Sequence, residues 1–219
     1  MTDRTTAREV ARVSIERGDP TGWFEELYRI AQVNPEILPW ADKKVNPHLV
    51  SWAEKNHLQG NGHRALVVGC GYGDDAEWLA NRGFKVLAFD ISETAISVAL
   101  RRFQTSLVDY KIADALNLPD EWKGAFDFVF EAYTLQVLSG EVRIRAAKMI
   151  ASTVKDTLLI ICRGREENDD EGKMPWPLTK RELFQIIQDQ TDLKVVSFDD
   201  FFDEEVPPVR RFRVEYHRS

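Results

Sequence analysis

The residues most able to do chemistry form the run Gly69-Cys70-Gly71-Tyr72-Gly73-Asp74-Asp75, followed nineteen positions after Gly71 by Asp90 and later by Asp114. A glycine-rich turn between a strand and a helix lets a ligand approach the backbone, and a carboxylate ending the next strand accepts hydrogen bonds from ribose hydroxyls. The pattern therefore points to an adenosine-containing cofactor. A tight turn without a ligand would use the same glycines. What favours the ligand is the placement of the loop after the run RALVVGC, with Asp90 closing the run KVLAFD.

Charge selects among such cofactors. A dinucleotide fingerprint carries its third glycine where this chain has Asp74, and rests a pyrophosphate on the N-terminus of the following helix. Asp74 and Asp75 stand at that N-terminus and would repel a pyrophosphate. S-adenosylmethionine has no phosphate and carries a sulfonium and an ammonium, so acids in the loop suit it. As helix caps the two residues would need no ligand. In KIADALNL, Asp114 could accept from an adenine amino group and Ala115 could offer its amide to a ring nitrogen; Asp114 could also simply cap the following turn.

The elements that must hold these groups follow from periodicity. Short apolar runs (RALVVGC, KVLAFD, VDYKIAD, FDFVFEA, DTLLIICR) alternate with helical patterns (DDAEWLANR, TAISVALRRF, EVRIRAAKMIASTV, TKRELFQIIQDQ), as βαβ units of a parallel sheet require. Two further strand-like runs, KVVSFDDF and RRFRVEYHR, are joined without a helix and should pair antiparallel. The expected fold is α/β, a doubly wound, Rossmann-like, mostly parallel sheet of about seven strands with an antiparallel last strand. Three helical patterns before Gly60 form an N-terminal cap. The chain is expected to be a single domain over 1–219, with the cap over 1–60 and the core over 61–219.

Lys plus Arg is 29 and Asp plus Glu 36, a formal charge of −7. So acidic a chain is not drawn to phosphate backbones, which argues against nucleic acid as partner. Cys70 and Cys162 fall at strand ends on strands separated by a third, so no disulfide is expected, nor does any spacing suit a metal. The N-terminal nineteen residues lack an apolar stretch, so a soluble cytoplasmic protein without a membrane span is expected. Oligomeric state is not encoded in these patterns.

The series VVGCGYGDDAEWLANRGFKVLAFDIS, IADALNL and FDFVFEAYTLQVL resembles the S-adenosylmethionine-dependent class I methyltransferases. The flanks LPWADKKVNPHL, MPWPLTKREL and PPVRRFRVEYHR are similar to the thiopurine S-methyltransferase group and its small-thiol and halide methylating relatives. The resemblance implies cofactor contacts by Trp40, Gly69, Gly71, Asp90, Ile91, Asp114, Ala115 and Glu131. Where thiopurine enzymes carry a second tryptophan shortly after the first, this chain has Lys44. The activity implied is methyl transfer to a small molecule, with S-adenosylhomocysteine as product and no metal. A thiol sulfur is the expected acceptor; oxygen, nitrogen or protein acceptors and a non-enzymatic cofactor-binding role are the alternatives.

A thiol is partly ionised near neutrality and needs no strong base. No His/Asp or Cys/His pair stands near the strand ends; His48, His57 and His63 fall in the cap or before the first strand. Substrate candidates come from loops at the carboxyl edge: Tyr133, Arg163, Arg165, Trp176, Arg210 and Arg211. Alternation of Phe212, Val214 and Tyr216 with charges leaves a solvated strand face as the other reading of the arginine cluster. Trp23, Trp52 and Trp78 suit core packing.

Overall fold

The computed structural model describes residues 4–38, 40–41, 43–189 and 191–219. Pro39 and Asp42 of the LPWADKK segment, and Gln190 at the end of the last helical pattern, lie outside them.

Seven strands form one sheet in the order β3-β2-β1-β4-β5-β7-β6, comprising β1 (Arg64–Val68), β2 (Lys85–Asp90), β3 (Asp109–Ile112), β4 (Phe126–Ala132), β5 (Val154–Arg163), β6 (Leu193–Phe202) and β7 (Arg210–Arg218). The pairs β1–β2, β1–β4, β2–β3 and β4–β5 are parallel. Strand β7 enters between β5 and β6 and is antiparallel to both. The expected Rossmann-like sheet is thus present. The strand before the last also parts from its neighbours in sequence, since β6 becomes the sheet edge and β7 a central strand.

Apolar runs with little alternation are what a sheet covered on both faces requires. Helices α3 (Pro47–Lys55), α4 (Asp74–Asn81) and α5 (Glu93–Arg102) bury Leu49, Trp52, Leu79 and Ile96 against Val67, Ala88, Phe128 and Phe130 on one face. On the other, α6 (Gly140–Thr153) and α7 (Lys180–Gln188) pack Ile150, Leu183 and Ile187 against Val129, Leu158, Phe212 and Tyr216. The α7 start is fixed by a reciprocal capping box, Thr179 with Glu182. Helices α1 (Thr5–Glu16) and α2 (Trp23–Ala31) form a third cluster, Ala7, Ala11, Trp23 and Leu27, which includes Ala95 of α5 and Met174.

Burial of the middle of β7 corrects one expectation. Arg211 and Arg213 are 4% and 9% exposed, so the arginine cluster is not a solvated face. The insertion of β7 is the reason: its apolar side meets α6 and α7, while Arg213 donates to His48 O and Ser51 Oγ of α3 and pairs with Asp199. Cys70 and Cys162 are both free thiols, in keeping with the intervening β4. No helix among the described residues is long and apolar enough to cross a membrane.

Candidate active site

The glycine loop follows β1 with three left-handed residues, Gly69 (φ +57°), Gly71 (φ +53°) and Gly73 (φ +90°). L side chains disfavour that region, and here they would also collide: a Cβ at Gly69 would run into Thr134 Oγ1 and one at Gly73 into the Tyr110 hydroxyl. Asp90 fixes the loop. Its Oδ2 accepts from Gly71 N–H at 2.9 Å and its Oδ1 from Ser92 N–H at 2.9 Å, which leaves further lone pairs on both oxygens. Burial pushes the Asp90 carboxyl up to about 6, against the opposing pull of those amides.

Asp74 and Asp75 do not cap α4. The N-cap is Gly73, and the acids occupy the first helical turn, where they still complement the helix dipole. Asp74 makes a two-pronged pair with Arg102 at 2.7 Å, and Asp75 Oδ1 accepts from Asn46 N–H at 2.7 Å. Asp114 does cap its turn, accepting from Leu116 N–H at 2.8 Å.

The cap is tied to this loop by Glu25 of α2, which accepts from Ser92 Oγ, Thr94 N–H and Thr94 Oγ1 at 2.6 to 3.1 Å, directly after β2. Helix α2 thereby sets Tyr28 beside Gly71, and Trp40 donates its indole N–H to the Tyr28 hydroxyl at 3.2 Å. Tyr72 packs on Tyr28 and Trp23 meets Trp40 edge-on.

Beyond β1 the character changes. Tyr133 follows β4 with φ +71°, a conformation that costs a non-glycine residue strain and marks functional positions. Its N–H donates to Ile161 O, its hydroxyl bonds Asn46, and burial pushes it up to about 12. The Arg211 guanidinium lies 5.0 Å from the Tyr133 ring centroid and pairs with Asp203 at 2.6 Å and Glu205 at 2.5 Å. Arg163, cross-strand from Arg211, gives its backbone N–H to Gln136 Oε1 at 2.7 Å. Burial pushes its guanidinium down to about 10, with the charges of Arg4 and Arg211 acting in the same direction.

One cavity of about 800 Å³ joins these two groups. Among the residues singled out by sequence, Trp40, Gly69, Gly71, Asp90, Ile91, Asp114, Ala115, Tyr133, Arg163 and Arg211 line it. Four others are held elsewhere. Arg165 pairs with Glu182, Arg210 pairs with Asp200 and Glu166, and Trp176 packs beside the α1–α2 cluster with its backbone N–H on Gln136 O. Glu131 is fully buried below the lining; its Oε1 accepts from Thr134 and Leu135 N–H, its Oε2 has no partner, and burial pushes it up to about 7. Sequence reasoning missed Arg4, Tyr28, Asn46, His48, Gln136, Asp203 and Glu205, all lining residues. They are supplied by the cap, by the β6–β7 connection and, for Gln136, by the turn after β4, and no local spacing announces them. Trp23, assigned to packing, packs and lines the cavity at once.

The donor set fits S-adenosylmethionine: a glycine loop closed to side chains, a buried strand-end carboxylate with spare lone pairs, and acids with aromatic faces where positive charge would lie. No cluster of three or more metal-ligating side chains occurs among the described residues.

The cavity can be set against known proteins. The ubiquinone biosynthesis O-methyltransferase of Aromatoleum aromaticum is 36% identical over 113 residues, 51% of this chain and 42% of that protein, so the chain spans under half the length of this curated relative. The 1,6-didemethyltoxoflavin-N1-methyltransferase of Burkholderia thailandensis, with S-adenosylhomocysteine bound, shares the fold at TM-score 0.70 and 13% identity, covering 100% of this chain and 92% of that one. The magnesium protoporphyrin IX methyltransferase of Synechocystis PCC 6803, with bound S-adenosylmethionine, does so at TM-score 0.63 and 17% identity, covering 100% and 98%. The sequence model of thiopurine S-methyltransferase matches residues 31–213, from the end of α2 into β7, and the chain belongs to that family.

Proposed function

We propose that this chain transfers the methyl group of S-adenosylmethionine to a small-molecule acceptor, and that the acceptor atom is a thiol sulfur. The observation that carries this reading is the division of one cavity into an acidic, aromatic side over β1–β2–β3 and a Tyr133–Arg163–Arg211 side over β4–β5–β7. S-adenosylmethionine, when bound, supplies an electrophilic methyl on a sulfonium. The residues of this chain do the rest. Asp90 accepts from the ribose, Asp114 and Ala115 hold the adenine edge, and Tyr28, Trp40 and Tyr72 give π faces to positive charge.

The acceptor sulfur must lie on the axis of the methyl bond. Such alignment is worth up to about 7–11 kcal/mol in favourable cases. The new S–C bond forms as the old one breaks, its electron pair stays on the departing sulfur, and the thiol proton has already gone to solvent. Thiolate and sulfonium neutralise each other at the barrier, so a cap that excludes water favours the step. Guanidinium groups on the acceptor side favour the thiolate further.

His48 gives a second reading its footing. The structure brings it to the cavity wall from α3, with its ring 5.1 Å from that of Phe201. Burial lowers its affinity for a proton, which keeps the ring neutral and able to accept one from a hydroxyl or nitrogen acceptor. Incubation with methyl-labelled S-adenosylmethionine and matched thiol, alcohol and amine acceptors separates the readings. A labelled thioether formed one-to-one with S-adenosylhomocysteine is expected. Turnover of the alcohol or amine alone, with loss in His48→Gln, supports the second reading; cofactor binding without turnover of any acceptor removes both.

A further inference from the structure

We infer that the acceptor side of the cavity recognises a molecule carrying a carboxylate, which Arg163 binds with Arg4 beside it. This rests on the reading of the cavity as a methyl-transfer site and names the class of its acceptor.

Inside the fold, guanidinium groups are matched: Arg102 with Asp74, Arg165 with Glu182, Arg211 with Asp203 and Glu205, Arg213 with Asp199. Arg163 is half-buried on the cavity wall, yet it has no ion pair and its side chain donates no hydrogen bond among the described residues. Arg4, also half-buried on that wall, likewise has no ion pair there. The two nearby acids, Asp203 and Glu205, are taken up by Arg211 in contacts of 2.5 to 2.6 Å. Glu204 also lines this wall but joins no ion pair among the described residues, so Arg4 and Arg163 remain two guanidiniums without a bonded carboxylate.

An uncompensated charge held partly out of water costs free energy unless a ligand supplies its partner. Burial and the neighbouring Arg4 and Arg211 already make Arg163 a reluctant cation, and an incoming anion would relieve both effects. A planar, forked donor matches a carboxylate through two parallel hydrogen bonds. The backbone is prepared for this. Gln136 is 4% exposed and binds Arg163 N–H through its side chain, which fixes the strand end from which the guanidinium projects.

Position assigns the charge to the acceptor and not to the methyl donor. Gly69 and Asp90 end β1 and β2, whereas Arg163 ends β5, two strands beyond β1, or about 9–10 Å at ordinary spacing. Lys43, just before the Asn46 that binds Asp75, lines the wall near the glycine loop and can meet the donor's own carboxylate.

The test compares 3-mercaptobenzoate with its methyl ester, by turnover and by calorimetric titration into the full-length protein saturated with S-adenosylhomocysteine. The acid is expected to be favoured at least tenfold over the ester in kcat/KM and in affinity. In Arg163→Met that ratio should fall to within threefold of one, with Arg163→Lys intermediate and S-adenosylhomocysteine affinity unchanged. An acid-to-ester ratio near one in the native protein overturns the inference. So does a ratio unchanged in Arg163→Met, or a tenfold loss of S-adenosylhomocysteine affinity with the ratio kept, which would give Arg163 to the cofactor. If neither thiol turns over but the acid still binds in an Arg163-dependent way, the carboxylate site stands and the thiol reading fails.

Discussion

The two sides of the cavity are built in opposite ways. The side over β1–β2–β3 takes its loop, strand-end carboxylate and adenine candidates in order from the stretch between Arg64 and Leu116, and the cap adds aromatic faces, Tyr28 and Trp40. The side over β4–β5–β7 gathers Arg4, His48, Tyr133, Arg163, Asp203 and Arg211 from across the whole length. The first is an acidic set; the second holds two guanidiniums, Arg4 and Arg163, without an ion pair among the described residues. On the proposed reading a local motif holds the cofactor, and residues that only the topology of the whole chain brings together form what it meets. The three compared methyltransferases share this chain's fold or motif while their names point to different acceptors, as that division predicts.

The comparison breaks most completely if the cap is removed. A chain beginning at Gly60 keeps every strand and the whole glycine loop but loses Glu25, Tyr28, Trp40, Asn46 and His48. Turnover should fall below about a thousandth of the full-length rate, since water exclusion and alignment both go. Far-ultraviolet dichroism should still report the sheet. If the shortened chain methylates a thiol at the full rate, the cap is packing only and the cavity has a single functional side.

Asp90→Ala strikes the cofactor side alone. S-adenosylhomocysteine affinity should drop by about 1–3 kcal/mol, the cost of leaving donors without a charged acceptor. Part of that loss arises inside the protein, because Gly71 and Ser92 N–H lose their partner as well. Calorimetry of the cofactor product beside a thermal melt separates the two; a melt shift with no change in affinity would assign Asp90 to the loop only.

What the sequence disclosed follows the same line. Strand and helix runs, the sheet order through β5, the glycine loop, Asp90 and Asp114 were all legible, because each rests on periodicity or on a fixed spacing between neighbours in the chain. The fate of β7 was not. Its alternating pattern suits an edge or a half-buried strand, and nothing local tells that β6 would lie outside it and α3 across it, burying Arg211 and Arg213. Glu25 was illegible for a similar reason, as its partners Ser92 and Thr94 lie sixty-seven and sixty-nine residues away.

A pH series sharpens the cofactor side. The folded value of about 6 for Asp90 lies above the unfolded carboxylate value of about 3.9, so the native state binds more protons between them. Its contribution to folding is therefore greatest at low pH and is lost as pH rises through that window. Glu131, at about 7 and with Oε2 unpartnered, extends the loss toward neutrality. Cofactor affinity should move the other way, since it is the carboxylate that accepts from the ribose. S-adenosylhomocysteine should bind about tenfold more weakly at pH 5 than at pH 7. Glu131→Gln should flatten the stability profile between pH 6 and 7 and leave the binding profile alone. Binding that is flat from pH 5 to 7 would contradict an ionised Asp90 at the ribose.

The smallest effect expected is that of Trp40→Ala, and it tests whether the cap acts on the cofactor or only encloses it. Trp40 is 37% exposed, unlike Trp23 at 0%, and among its described contacts are an edge-on approach to Trp23 and the hydrogen bond to Tyr28. Deleting a fully buried tryptophan costs about 3–5 kcal/mol; a side chain that keeps over a third of its surface in water should cost about 1–2 kcal/mol. The lost indole also frees the Tyr28 hydroxyl beside Gly71. Turnover should therefore fall by several-fold to about tenfold, through loss of a π face and a wetter pocket, while the melt shifts by only a few degrees. Trp40→Phe, which keeps the face but not the donor, should recover most of the rate if the ring meets positive charge. If Trp40→Phe is as slow as Trp40→Ala, the indole N–H on Tyr28 matters more than the ring, and α2 works by fixing the glycine loop.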